Sequence, residues 1–243
     1  MRTCCNLILA VVMSGVIVGC DLSGDSTGGF LVFSQSFDFT QDCYEWQVDF
    51  ADFPAGPDDS TYYELSYAYT KLPENLGIEK NAMMLSGNNH SDDLFMFMKK
   101  KITDLTPNKD YSIVFEVTLA SNAPIGAAGI GGAPGESVYL KAGASALEPK
   151  KVIEGDSYVL NVDKGNQAAS GENAVVLGNI AVSYDTKDYA LISRNNASAY
   201  DAPFVVKSNS KGELWLLVGT DSGFEGITTV YYTSVNVVFS AID

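Results

Sequence analysis

The sequence predicts an all-β fold, a sandwich or a closed barrel of antiparallel strands. Short segments that alternate apolar and polar residues recur from Phe30 onward, and turn residues separate them. No window of 12 or more residues has the 3.6-residue period of an amphipathic helix. The chain of 243 residues has no internal repeat and no proline-rich linker, so we expect one domain over residues 30–243.

Individual strands follow from this alternation. Tyr44–Phe50, Tyr62–Thr70 and Tyr111–Ala120 place large apolar residues at every second position, which indicates one buried face. Leu94–Met98 is apolar throughout and predicts a central strand covered on both faces. Further strands are predicted at Phe30–Phe39, Ser137–Ala142, Tyr158–Val162, Ala174–Ala181, Tyr189–Ser193, Phe204–Lys207, Leu214–Gly219 and Thr228–Phe239.

The N-terminus carries a targeting signal. After Arg2, the segment Leu7–Val18 is 12 residues of mostly apolar character, too short for a membrane-spanning helix and typical of a signal peptide. The tetrapeptide Ile17-Val18-Gly19-Cys20 resembles the lipobox of bacterial lipoproteins. This resemblance implies that residues 1–19 are removed, that Cys20 is acylated, and that residues 20–29 form a flexible tether. The alternative is an ordinary secretion signal with a chance cysteine.

Charge and cysteine content limit the partners. Removing residues 1–19 takes away one arginine and no acid, so the net charge of −15 becomes −16. Such a surface repels nucleic acid and anionic lipid, and leaves neutral glycans, cations or basic proteins as partners. Only Cys43 would remain as a thiol, which excludes an intramolecular disulfide and a cysteine metal site, and we expect Cys43 to be buried.

Two resemblances bear on fold and function. The segment LTPNKDYSIVFEV, residues 105–117, resembles the L-x-P-N-x-x-Y-x-[VI]-x-F segment of jelly-roll carbohydrate-binding modules. It implies an antiparallel β-sandwich of jelly-roll type, with Tyr111 packed under the preceding turn. The stretches NNHSDDLFMFMKKK, GGAPGESVYLKAGAS, SGENAVVLGNIA and ELWLLVGTDSGFEG resemble a group of uncharacterised bacterial lipoproteins, a likeness that implies no activity.

The segment GNNHSDD, residues 87–93, contains the only histidine and is the first candidate site. A lone histidine argues against a zinc enzyme, whereas oxygen ligands from several loops can assemble a structural Ca²⁺ site. The acids considered for ligand or calcium binding are Asp92, Asp93, Glu136, Asp163, Glu172, Asp221 and Glu225. The alternative is a polar loop whose side chains bond to nearby backbone, with His90 as one of its residues.

Aromatic residues make up 11% of the chain and suggest sugar contacts. The candidates for stacking on a sugar ring are Trp46, Trp215, Tyr63, Tyr67, Tyr69, Tyr231 and Tyr232. Tyr67 and Tyr69 are favoured among them, because both Trp residues lie on alternating strands and should be mostly buried.

Three functions follow from these observations. The leading hypothesis is a non-catalytic binding module for a neutral glycan or another envelope component, held at a bacterial membrane by lipid. The first alternative is a carbohydrate-active hydrolase or lyase, with Glu136 and Glu172 as the carboxylate pair to test. The second is a structural or assembly lipoprotein. The sequence does not indicate which membrane carries the protein.

Overall fold

The computed structural model describes residues 16–17, 31–56, 59–183, 188–198 and 203–242. Cys20, the tether and most of the predicted signal peptide lie outside the described residues. In chain order the strands are β1 (Val16–Ile17), β2 (Val32–Asp38), β3 (Gln47–Ala51), β4 (Phe53–Pro54), β5 (Ser66–Lys71), β6 (Asn81–Asn88), β7 (Leu94–Ile102), β8 (Asp110–Ser121), β9 (Val138–Ser145), β10 (Lys151–Glu154), β11 (Ser157–Leu160), β12 (Ala174–Asn179), β13 (Ala190–Asn195), β14 (Val205–Lys207), β15 (Leu214–Ser222) and β16 (Ile227–Ile242).

The strands form three sheets, and all strand pairings are antiparallel. Sheet I contains eight strands, with β16 between β8 on one side and β6 and β2 on the other. Sheet II has the order β12-β9-β15-β7-β3, and sheet III has the order β10-β11-β4. The described residues also include a four-residue helix α1 (Asp59–Tyr62) and a 3₁₀ turn (Glu74–Leu76), neither of them long and apolar enough to cross a membrane.

The order of the strands is that of a jelly roll. Sheet I contains the series β6-β16-β8-β13, and sheet II contains the series β7-β15-β9-β12. Numbered along the chain as strands one to eight, these series read 1-8-3-6 and 2-7-4-5, so the chain crosses between sheets at most connections. This is the double-sheet, two-Greek-key arrangement. The predicted antiparallel β-sandwich of jelly-roll type is confirmed.

The main core lies between sheets I and II. In β8 the alternate residues Tyr111, Ile113, Phe115, Val117 and Leu119 are all 0% exposed, as the alternation predicted. The turn before β8 is closed by Tyr111, whose hydroxyl accepts a hydrogen bond from the backbone N–H of Thr106 at 3.0 Å. The expectation that this tyrosine packs under the turn is therefore confirmed.

Strand β7 is buried on both faces, also as predicted. Leu94, Met96 and Met98 point into the main core, whereas Phe95 and Phe97 belong to a second cluster on the opposite face of sheet II. Val162 and the partly buried Leu160 pack against this second cluster, so the segment after sheet III covers the outer face of sheet II. The candidate site lies over this outer face of sheet II.

Some predicted boundaries are wrong. Tyr44 and Glu45 have φ angles of 50° and 57° and form a turn, so β3 starts only at Gln47. Tyr62 ends α1, and β5 starts at Ser66. Strands β6 and β10 were not predicted, because β6 mixes asparagine, serine and glycine with methionine and β10 is short and exposed.

Several side chains differ from expectation in burial. Strand β7 continues past the predicted Leu94–Met98 to Ile102, so Lys99 is only 6% exposed, and it donates to Glu148 Oε1 at 2.8 Å. Cys43 and Trp46 are buried as expected, and Trp215 is half-buried beneath the ammonium group of Lys99.

Candidate functional site

The loop at residues 89–93 joins β6 of sheet I to β7 of sheet II, and Asn89 fixes its course. The Asn89 side chain is 1% exposed and donates from Nδ2 to the carbonyl oxygens of Ser222 (2.8 Å) and Phe224 (3.0 Å). Its Oδ1 accepts from the backbone N–H of Ser91 at 3.1 Å. Asn89 and Ser91 therefore bond to nearby backbone, as the polar-loop alternative predicted for this segment.

His90 is exposed and part of an aromatic group. Its ring stacks on Tyr62, with 4.3 Å between centroids and 29° between planes, and meets Tyr63 edge-on at 5.5 Å. The Tyr63 ring in turn contacts Phe53 (5.2 Å), and Phe53 contacts Tyr158 of sheet III (5.1 Å). Tyr62, 61% exposed, therefore presents a ring to solvent beside a series of aromatic contacts that leads to sheet III.

Three aspartates converge near the start of β7. Asp52 lies between β3 and β4, Asp93 directly precedes β7, and Asp221 lies near the end of β15. One carboxylate oxygen from each lies within 4.8 Å of the others. Asp52 is held in position by a left-handed φ of 63° and accepts a hydrogen bond at Oδ1 from the backbone N–H of Leu160. The fold thus brings together two of the predicted acids, Asp93 and Asp221, with a third that was not predicted.

Two lysines neutralise part of this charge. Asp221, which is 0% exposed, accepts at Oδ2 from Lys141 Nζ (2.9 Å), Lys164 Nζ (2.8 Å) and the Gln167 backbone N–H (2.8 Å). Lys164 Nζ also lies 3.0 Å from Asp52 Oδ2. We refer to Asp52, Asp93, Asp221, Lys141 and Lys164 as the buried charge cluster.

The pKa shifts within the cluster follow from burial and neighbouring charge. Burial raises the pKa of Asp93 to about 7; nearby Lys164 opposes the rise, and Asp221 and Asp52 add to it. Burial lowers the pKa of Lys141 despite Asp221. For Lys164, burial acts to lower the pKa, but Asp221 and Asp52 together outweigh it and the pKa is raised.

The hydrogen-bond donors around the cluster indicate which of its acids holds a proton. Asp93 Oδ1 and Asp221 Oδ1 are both buried, and neither has a hydrogen-bond donor among the described residues. Carboxylate oxygens of the two side chains lie within 4.8 Å of each other, and Asp221 adds to the rise in the pKa of Asp93. Three donors contact Asp221 Oδ2, whereas the described residues supply no donor to Asp93 Oδ1, so we place the proton that balances the cluster on Asp93, whose pKa burial raises to about 7.

A divalent cation is poorly accommodated here. Among the described residues these three carboxylates form the group that could hold a metal ion, but the ammonium groups of Lys141 and Lys164 already lie within 3.0 Å of Asp221 Oδ2 and Asp52 Oδ2. Fully ionised, the cluster has a net charge of −1, because three carboxylates face two ammonium groups. One proton balances that charge, whereas Ca²⁺ would exceed it and repel both lysines.

A cleft of about 470 Å³ opens above the cluster. Its polar lining includes Asp52, Asp93, Glu154, Asn161, Asp163, Lys164 and Asn166, and its apolar lining includes Val152, Val159, Leu160 and Val162. The cleft therefore lies over the outer face of sheet II, between the β10–β11 hairpin and the segment that follows it. We call this feature the cleft.

The other predicted residues lie elsewhere. Asp92 and Glu225 both lie against Gly131, where Glu225 N–H donates to the Ile130 carbonyl. Glu136 Oε1 accepts from the Gly126 N–H at 2.6 Å, and its Oε2 is buried with no partner among the described residues. Glu172 is exposed in the turn before β12, where its backbone N–H donates to Asp163.

The predicted sugar-stacking tyrosines lie in β5 of sheet I and do not line the cleft. Tyr67 is 53% exposed, whereas Tyr69 is half-buried against the main core. Burial raises the pKa of Tyr69, and a hydrogen bond with the Asn81 side chain opposes that shift. Tyr67 remains a candidate for ligand contact on another surface.

Sequence reasoning missed Asp52, Lys141 and Lys164. A signal was available for Lys141, since a lysine inside the apolar and small-residue strand VYLKAGAS needs a buried partner. Tyr62 was also missed, because the alternating pattern assigned it to a strand.

Solved structures similar to this chain include carbohydrate-binding modules. One that specifically recognises mannan shares 10% identity at a TM-score of 0.41, covering 86% of this chain and 97% of that chain. A family 11 module from Clostridium thermocellum, in complex with a β-1,3-1,4-mixed-linked tetrasaccharide, shares 8% identity at a TM-score of 0.36, covering 84% and 94%. A third, in complex with β-1,4-galactotriose, shares 10% identity at a TM-score of 0.32, covering 79% and 86%. No family model and no curated protein sequence matches the chain.

Proposed function

We propose that this protein is a non-catalytic binding module for a glycan or another envelope component that carries no negative charge, neutral glycans being the class predicted from the sequence. The observation that carries the proposal is the mixed lining of the cleft. Val152, Val159 and Leu160 offer apolar surface, and carboxylate and amide groups offer hydrogen-bond acceptors and donors. Sugar rings have apolar C–H faces and hydroxyl edges, so both kinds of lining suit them.

An aromatic surface supports the same proposal. The stacked rings of Tyr62 and His90 are exposed and connect through Tyr63 and Phe53 to Tyr158, which belongs to a strand of sheet III that borders the cleft. An exposed ring that is fixed by its neighbours binds the C–H face of a sugar with little loss of side-chain entropy.

Anchoring through Cys20 is part of the proposal and rests on the likeness to a lipobox. The strand pairing supports a consequence for orientation. Val32 pairs with Ser240 near one end of β16, and Asn88 pairs with Ile227 at the other. The loop that leads to Asp93 is therefore about 40 Å of extended strand away from the N-terminal end of β2. An anchored chain would present the cleft away from the membrane.

A carbohydrate-active hydrolase or lyase is the second candidate, because Asp93, whose pKa burial raises to about 7, lies beside other acids in a cleft. Two features favour binding without catalysis. The cluster's carboxylate oxygens lie within 4.8 Å of one another, closer than the roughly 5–9 Å between glycosidase carboxyl groups. Asp52, the nearest counterpart of Asp93 in the cleft, is also engaged by Lys164 and by Leu160.

The test is a glycan array probed with the full-length protein in a polyoxyethylene detergent, which contains no sugar. We expect binding to uncharged glycans that weakens in the Asn166→Ala variant, which alters an exposed residue of the cleft. Tyr67→Ala, on sheet I, is the matched control and should bind normally. Absence of binding to any uncharged or basic glycan would overturn the proposal, and release of new reducing ends would favour the hydrolase.

A further inference from the structure

We propose that the cleft selects glycans that contain a free primary amino group, and that the sugar ammonium is seated against Asp93. The inference rests on the proposed function, since it concerns the same cleft and names the class of glycan it prefers. It would distinguish amino sugars from their N-acetylated forms, which have the same ring but no charge.

The first step is the balance of charge in the cleft. Its lining contains four acids, Asp52, Asp93, Glu154 and Asp163, and one base, Lys164, which is already bonded to Asp52 and Asp221. An acidic cleft in a chain of net charge −15 concentrates cations and repels anionic sugars.

The second step concerns the acids of the cleft, which differ in whether a donor already binds their carboxylate oxygens. Asp52 is paired with Lys164, and Asp163 accepts at its two oxygens from the backbone N–H groups of Gly165 and Glu172. Those two backbone bonds lower the pKa of Asp163. Asp93 alone among the half-buried acids of the cleft has no side-chain donor among the described residues, and behind it the fully buried Asp221 also leaves Oδ1 without a donor.

The third step concerns the kind of cation. The cluster lacks a single positive charge, and Lys141 and Lys164 already provide the two ammonium groups on Asp221. A third ammonium supplies one charge and three N–H donors, whereas a divalent ion brings an excess charge close to both lysines. A primary amine is therefore the ligand chemistry that the cluster accommodates best.

Binding exchanges one cation for another. In the free protein the proton of Asp93 balances the charge of the cluster. When the sugar ammonium binds, Asp93 loses this proton to solvent. The Asp93 carboxylate then accepts a charge-assisted hydrogen bond from the sugar ammonium. The charged groups that face Asp93 are Lys164, Asp221, Asp52 and, through Asp221, Lys141. At a pH below the pKa of Asp93, binding should thus release up to one proton per site.

The experiment is titration calorimetry with the full-length protein in polyoxyethylene detergent at about pH 6, where an amine of ordinary basicity is protonated. The ligands are oligosaccharides of glucosamine, galactosamine and mannosamine, each paired with its N-acetylated form. We expect at least one amino form to bind about tenfold or more tightly than its N-acetylated pair. Measurement in two buffers of different ionisation enthalpy should reveal the released proton.

The variant Asp93→Asn keeps the shape of the side chain but cannot ionise. It should abolish proton release and reduce the preference for the amino form to about onefold. Glu116→Gln, which changes an exposed acid of β8 in sheet I, outside the cleft, should retain both effects. Equal affinity for both members of every pair would overturn this inference and leave the glycan-binding proposal standing. Failure of every glycan to bind would overturn both, and an amino preference that survives in Asp93→Asn would overturn the role of Asp93.

Discussion

Carboxylate oxygens of Asp93 and Asp221 lie within 4.8 Å of each other below the cleft, and each acid has one buried oxygen with no donor among the described residues. Asp221 is fully buried and contacts the ammonium groups of Lys141 and Lys164, whereas burial raises the pKa of Asp93 to about 7, so we place the proton of the pair on Asp93. This arrangement makes the stability of the fold depend on pH. It also gives the cleft a carboxyl group that can lose its proton when a cation binds beside it.

We expect Asp93→Asn to stabilise the protein at about pH 8 and to have little effect at about pH 4. The pKa of Asp93 is raised from 3.8 to about 7 in the folded state, so the folded state holds the proton more tightly than the unfolded state. The stabilisation that this proton gives the folded state is fully present below the pKa of Asp93 in the unfolded state. It is lost as pH rises through the pKa of Asp93 in the folded state. Asparagine cannot ionise and therefore avoids this loss.

Thermal unfolding at the two pH values checks this expectation. The variant should exceed the wild type by more than about 3 °C at the higher pH and match it at the lower one. Glu154→Gln is the control and should shift the unfolding temperature by a similar small amount at both. A difference for Asp93→Asn that does not depend on pH would contradict the raised pKa of Asp93.

Lys141→Met should destabilise the fold by about 3–5 kcal/mol, because it leaves the buried Asp221 short of one ammonium group. Lys141 is 1% exposed and also donates to the carbonyl oxygens of Lys164 and Ala169. Lys207→Met is the matched control, since Lys207 and Asp110 form an exposed ion pair at 2.7 Å, and it should cost less than about 1 kcal/mol. Urea unfolding of both variants measures the difference, and equal losses would argue against a structural role for the cluster.

Tyr62→Ala should weaken glycan binding about three- to tenfold with little loss of stability, because the Tyr62 ring is largely exposed, stacks on His90 and meets Tyr63 edge-on. Tyr67→Ala, which removes a ring of similar exposure from β5, should leave binding unchanged. The glycan affinities of the two variants on the array show which of the two tyrosines contacts the ligand. If Tyr67→Ala weakens binding and Tyr62→Ala does not, the ligand binds on sheet I.

Cys20→Ala should move the protein from the membrane fraction to the soluble fraction of cells and abolish incorporation of labelled palmitate. A single chain of fatty acid gives only marginal binding, so stable anchoring needs the multiple chains that a lipoprotein cysteine carries. Cys43→Ala is the control, since Cys43 is buried in the main core. Membrane recovery that persists in Cys20→Ala would contradict the anchor.

The parts of the fold that could be predicted are those with local signals. The alternation in β8 and the fully apolar β7 each reflect burial that acts residue by residue along one strand, and the Pro107-Asn108 turn has chemistry of its own. Strand β6 escaped prediction because its burial comes from neighbours β5 and β16 rather than from a strong preference of its residues.

The candidate site was harder to predict because its members are far apart in sequence. Asp93 and Asp221 were selected as loop acids, but only the pairing of β7, β15 and β9 brings them beside Lys141. Asp52 depends on a left-handed turn, and Lys164 on the segment after sheet III; neither has a local signature. His90 was the most conspicuous residue in the sequence, and the structure gives it aromatic contacts rather than metal ligands.

The most direct test of the account is hydrogen–deuterium exchange of the full-length protein with and without a saturating concentration of the glycan that binds most tightly. We predict that bound glycan slows amide exchange in residues 152–166 and in residues 90–93, which border the cleft. Slowed exchange confined to β5 around Tyr67 and Tyr69, with none at the cleft, would contradict the account.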